Sequence, residues 1–164
     1  MCSSFPALLA FSKLLSSWEF CAISATGLSG GLLSTWNPHK VRCQAYQTCA
    51  DLLIQASFWG LSFPITVLNI YGPYKDHETF WEKAHRSGLL SSPNLILGGD
   101  LNLTLHSSEI WGHKTSPDPL SSHFLSLFDS LGLTDLAPLC AGPTWRNGCV
   151  GVEGISKRLD IFLI

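Results

Sequence analysis

Apolar and polar positions recur with two periods along this chain, and the changes of period divide it into elements. Over residues 5–18, Leu8, Phe11, Leu15 and Trp18 recur at spacings of three and four, with serine and lysine between them, which predicts one apolar face of a helix. Residues 19–24 read as a short strand, broken at a turn by Gly27, Gly30 and Gly31. Residues 31–36 form a second apolar run closed by Asn37-Pro38, and 41–46, 52–58 and 64–71 read as further strands. A helix is expected from Asp76, whose side chain would cap it, with Glu78 in its first turn and Phe80, Trp81 and Ala84 facing inward. Asn94-Leu95-Ile96-Leu97 is a short apolar strand that runs into Gly98-Gly99-Asp100. A second helix is expected at Asp118-Pro119, with Phe124, Leu127, Phe128 and Leu131 as its stripe and Gly132 as its stop. Residues 158–164 read as a final strand.

Strands outnumber helices, so the expected class is mixed α/β with largely antiparallel sheets. The uncharged stretch 52–74 is long enough to span a bilayer. Gly60, Pro64 and Pro73 interrupt it, however, and its second half is β-branched, so two strands around a turn are expected rather than a membrane helix. The first residues lack a basic region and a cleavage site, and no secretory signal is expected.

Composition sharpens this picture. The 164 residues fit one domain, spanning 1–164, with room for a real core. Charged residues make up 13%, about half the usual share. That shortage, and a chain ending inside an apolar strand, are expected of a partial domain. The composition excludes a disordered tail, a collagen-like repeat and a coiled coil. Ten basic against 12 acidic residues give a net charge of −2, which excludes strong non-specific binding of nucleic acid by field alone. A localised basic site is compatible with it. The six cysteines show no C-x-x-C spacing, and reduced, mostly buried thiols are expected.

The most informative segment is Leu97-Gly98-Gly99-Asp100-Leu101-Asn102. In an extended backbone Asp100 and Asn102 would share a face at a strand end, and the glycines allow close approach. An acid and an amide side by side can hold a water, one accepting its proton and the other fixing its orientation. The plainer reading is a Gly-Asp turn with its asparagine in the left-handed conformation.

The motif has company. Ser29-Gly30-Gly31-Leu32, Asn69-Ile70-Tyr71-Gly72-Pro73, Ser108-Glu109-Ile110-Trp111-Gly112, Asp118-Pro119-Leu120-Ser121, Pro143-Thr144-Trp145-Arg146 and Lys157-Arg158-Leu159-Asp160 flank it in order. The ordered set resembles the endonuclease/exonuclease/phosphatase family, and within it the apurinic-type endonuclease domain of plant LINE-type (non-LTR) retrotransposons. The resemblance implies a four-layer α/β sandwich, two packed sheets flanked by helices, here incomplete. It implies hydrolysis of DNA phosphodiesters with Mg²⁺ or Mn²⁺, in the nucleus, beside a reverse transcriptase in a longer polyprotein. Under it, Tyr71 contacts the scissile phosphate, Asp100 orients or deprotonates the attacking water, Asn102 helps bind the phosphate, and Asp160 orients a catalytic histidine. Thr144, Trp145 and Arg158 are the implied substrate-binding residues.

The sequence also departs from the family pattern. The family's metal-binding glutamate phrase and its Ser-Asp-His phrase have no counterpart in this chain, so the metal ligands are unassigned and the chain is expected to be inactive. A non-catalytic remnant and a phosphatase of the same fold are the alternative readings. His106, His113 and His123 are expected to face solvent or lie in a helix. Glu109 reads as part of a polar loop, Asp118 as a helix cap, Asp135 as a loop acid, and Lys157-Arg158 as a solvated strand edge. Trp36, Trp81 and Trp145 read as core or rim.

Overall fold

A computed structural model describes residues 13, 15–25, 31–113, 116 and 118–164. The helix expected over 5–18 and the turn at 26–31 fall mostly outside them. Strands β1 (Glu19–Ile23) and β2 (Leu32–Trp36) pair as an antiparallel ribbon. There follow β3 (Val41–Thr48), β4 (Asp51–Phe58), β5 (Ile65–Tyr71), helix α1 (His77–Arg86) and β6 (Leu95–Asp100). The remainder is β7 (Ile110–Gly112), helix α2 (Ser121–Ser130), β8 (Trp145–Arg146), β9 (Ile155–Lys157) and β10 (Asp160–Leu163).

The centre is a five-stranded sheet in the order β10-β6-β5-β4-β3. Its neighbours run antiparallel except β5 and β6, which the α1 crossover makes parallel. Alternation along the strands gives the sheet two different faces. On one, Leu68, Ile70, Leu97, Ile161 and Leu163 are buried against the apolar stripes of α1 and α2. Trp81 is fully buried there and meets Phe80, Phe124 and Phe128 edge-on at 5.5, 5.9 and 5.3 Å. Burying side chains of this kind contributes about 1.5–3 kcal/mol each, which is what holds helix to sheet. On the other face, the Asn69 amide donates to the Ser34 hydroxyl at 2.9 Å and ties β5 to the ribbon. Ribbon, sheet and helices therefore stack as an α/β sandwich, the fold class that the resemblance implies.

The stretch 52–74 is two strands around a turn, and among the described residues no helix is long and apolar enough to cross a membrane. Helix α2 ends where expected: Gly132 N–H donates to the Asp129 carbonyl and Leu133 N–H to that of Phe128. Other expectations need correction. Asp76 occupies the cap position of α1 in left-handed conformation, but its side chain caps nothing. Helix α2 starts at Ser121 rather than Asp118, whose carboxylate closes a turn on the Leu120 N–H. The final strand starts at Asp160, and β7 to β9 are too short to show alternation in sequence. Among the described cysteines, Cys140 and Cys149 are exposed and Cys21, Cys43 and Cys49 are half-buried, so the free thiols are not mostly hidden. Burial, then the nearby Glu19, pushes the Cys43 thiol up.

Candidate active site

Pairing across β10, β6 and β5 sets Asp160 opposite Asp100 and Asp100 opposite Tyr71. Residues in register share a face, so two carboxylates and a phenol line up in one row at the sheet's rim. The backbone turns that follow these strands lock the row in place. Gly72 N–H donates to the Asp100 carbonyl at 2.7 Å. The Asn102 side chain donates back to the Gly72 carbonyl at 2.6 Å, and its N–H donates to Asp100 Oδ1 at 3.0 Å. Two glycines are required for this approach. A Cβ at Gly72 would run into the Leu101 carbonyl, and one at Gly99, whose φ is +139°, into that of Ile70. Asn102 has φ +52°, the left-handed turn of the plainer reading, and β6 ends at Asp100, so the extended backbone that would set Asp100 and Asn102 on one face does not reach Asn102.

Each member of the row has its own support. Tyr71 N–H donates to the Asp51 carboxylate at 2.7 Å, and burial pushes the Asp51 pKa up against that bond. Asp160 N–H and Leu159 N–H both donate to the Thr144 hydroxyl, at 3.1 and 3.0 Å. Thr144, expected at the substrate, thus positions Asp160 with its hydroxyl. Trp145, the next residue, is 36% exposed on β8.

Arg158, also expected at the substrate, is buried. Its guanidinium forks onto Asp135 with two bonds of 2.7 Å and also donates to Glu109. The second Glu109 oxygen accepts from Leu105 N–H at 2.7 Å and His106 N–H at 3.0 Å. Arg158 is therefore neither a solvated edge nor a ligand for phosphate, Glu109 is not part of a polar loop, and Asp135 is more than a loop acid. The triad anchors the segment that leads into Asp160.

Burial raises the Asp100 pKa, the Asn102 N–H opposes it, and the charge of Asp160 raises it further. The Tyr71 hydroxyl donates to that of Tyr74 at 3.2 Å, their rings standing edge to face at 6.3 Å. Tyr74, 64% exposed, has its pKa pushed up by Tyr71 first and by Asp100 among the lesser causes. Neither Asp51 nor Tyr74 was singled out from sequence. The only signals were an acid in a tight turn between strands and an aromatic ring directly after Gly72-Pro73.

His106, His113 and His123 are exposed as expected, and no histidine pairs with Asp160 among the described residues. Among those residues no three His, Cys, Asp or Glu side chains gather as a metal set. The donor chemistry of the row is narrower. Two facing carboxylates suit a hard divalent cation that shares its coordination with a substrate phosphate, as Mg²⁺ sites commonly do.

No family model and no curated protein matches this chain. Solved structures do. The endonuclease domain of TRAS1, a telomere-specific non-LTR retrotransposon, superposes with a TM-score of 0.64 at 18% identity, over 90% of this chain and 66% of that one. TDP2 from C. elegans superposes with a TM-score of 0.52 at 15% identity, over 95% of this chain and 50% of that one. A truncated C. elegans TDP2 gives 0.53 at 16%, over 95% and 65%. The chain thus spans half to two thirds of the length of these proteins. At such identities the likeness concerns the fold, and this chain has the α/β sandwich fold of the endonuclease/exonuclease/phosphatase family.

Proposed function

We propose that the row of Tyr71, Asp100 and Asp160 is the phosphodiester site of a DNA nuclease of the retrotransposon endonuclease kind. The observation that carries this reading is the strand register that sets the three side chains abreast. Hydrolysis of a phosphodiester needs an aligned water and relief of the charge on the phosphoryl oxygens. Asp100 serves the first need. Its carboxylate is half-buried and holds a proton more readily than a free aspartate, which suits a group that orients water and accepts its proton. One N–H of the Asn102 amide is tied to Gly72, which leaves the other for a phosphoryl oxygen. To reach the same phosphate the Tyr71 hydroxyl would turn away from Tyr74, on a backbone that Asp51 holds still. When bound, Mg²⁺ or Mn²⁺ supplies charge neutralisation at the phosphate, and Asp100 and Asp160 are the carboxylates that would face it. Thr144 and Arg158 act as positioning residues behind Asp160. A reverse transcriptase in the same polyprotein is the partner this reading implies.

With two carboxylates and no histidine in the row, the chain is expected to bind DNA without cutting it. Supercoiled plasmid incubated with the chain and Mg²⁺ or Mn²⁺ should stay supercoiled. Labelled DNA should bind in Mg²⁺ and release in EDTA, and Asp100→Ala should lose the Mg²⁺-dependent part. Binding that ignores both EDTA and Asp100→Ala would overturn the site. Nicking that depends on Asp100 would overturn the expectation of inactivity.

A further inference from the structure

A cavity of about 690 Å³ lies on the helix side of the sheet, between α2, β7 and the loop that follows α2. A space of that size suits a small organic group. No member of the row lines it. Arg158, Glu109 and Asp135 line its buried part, and Asp129, exposed on α2, joins them. Counting histidine as neutral, three carboxylates against one guanidinium leave two negative charges unmatched. Glu109 is buried and already accepts three N–H bonds. Asp135 is different. Each of its oxygens accepts a single N–H from Arg158, which leaves each a second lone pair, and its side chain is 18% exposed.

The rest of the wall is largely apolar, with Trp111, Leu125, Phe128 and Leu133. Leu125 is exposed there, and so are Leu136 and Leu139 on the adjoining loop, whose Ala137 and Ala141 reach the cavity. Apolar side chains left exposed together are what a bound partner covers. Charge decides the class of that partner. An anion would meet the surplus of carboxylates, and a neutral group would strip water from Asp135 without replacing it. A cation on an apolar body satisfies both walls, and in a half-buried site its attraction to Asp135 is less screened than at the surface. We infer that this cavity binds an ammonium, amidinium or guanidinium group carried on an apolar body, with the cation on the free lone pairs of Asp135 and the body against Leu125 and Phe128. A free organic amine has this chemistry, and so does a lysine or arginine side chain flanked by apolar residues on a peptide.

An amide NMR titration of the whole chain tests this with benzamidine and with benzamide, its uncharged isostere. Benzamidine should bind at least about tenfold more tightly, and the shifts should move at Trp111, Leu125, Phe128, Asp129 and Asp135. Leu125→Lys and Asp129→Asn change exposed positions, so both variants should melt as the natural chain does, and each should weaken benzamidine binding. The source is read from acetyl-Leu-Arg-Leu-amide: binding tighter than that of benzamidine, and lost when citrulline replaces the arginine, assigns the site to a peptide, whereas weaker binding assigns it to a free amine. Equal binding of benzamidine and benzamide, or no binding of either, would overturn the inference. So would shifts that cluster at Asp100 and Asp160, or benzamidine binding that neither variant alters.

Discussion

At the scale of single residues, the row carries a conflict between stability and use. The Asp100 pKa is raised by burial and then by Asp160, so folding favours its protonated form. The sign follows directly. A carboxyl whose folded pKa lies above its unfolded value stabilises fully below the unfolded value, and that stabilisation is lost as pH rises through the folded one. Asp51, also raised by burial, acts in the same direction. Replacing Asp100 by asparagine keeps an acceptor for the Asn102 N–H and removes the buried charge. Asp100→Asn should therefore raise the melting temperature at pH 7, and the gain should vanish as pH falls below about 4, where aspartate is protonated in either state. A variant less stable than the natural chain at pH 7 would show that Asp100 is held in its charged form. Asp100 and Asn102 were legible in sequence because both lie in one short phrase, whereas Asp51 was not. Its bond to Tyr71 spans 20 residues, and only the β4–β5 register brings the two together.

At the scale of elements, what could be read was what repeats. Both helices among the described residues declared themselves through stripes that the structure buries, Trp81 and Ala84 on one and Phe124 and Phe128 on the other. Their caps did not, because a cap depends on the turn before it, and Asp118 spends its carboxylate on that turn. The Arg158 triad shows the same limit. Next to Lys157 the arginine looked like an exposed strand edge, since its partners Glu109 and Asp135 lie 49 and 23 residues away. Burial decides the energetics here. Breaking a buried pair by removing one partner strands the other charge and typically costs about 3–5 kcal/mol. Arg158→Met should lower the stability measured by urea denaturation by that amount. Arg86→Ala, which removes the exposed Glu82–Arg86 pair of α1, should cost less than about 0.5 kcal/mol. A loss below about 1 kcal/mol for Arg158→Met would mean that the triad does not hold the segment leading to Asp160.

At the scale of the whole molecule, the proposed site is assembled from residues far apart in the chain: Asp51, Tyr71, Asp100 to Asn102, Thr144 and Asp160. No local element contains it, and it is the resemblance read from ordered phrases, not periodicity, that singles out Tyr71, Asp100, Asn102 and Asp160. The sandwich then explains the convergence, because three neighbouring strands of one sheet deliver the row to one rim. The most direct test of that claim is an amide NMR titration of the chain with a short single-stranded DNA in Mg²⁺. Chemical shifts should move most at Tyr71, Gly72, Asp100, Asn102 and Asp160, and should stay in place when EDTA replaces Mg²⁺. Shifts that cluster elsewhere on the molecule, or that persist in EDTA, would contradict the assignment of this row as the phosphodiester site.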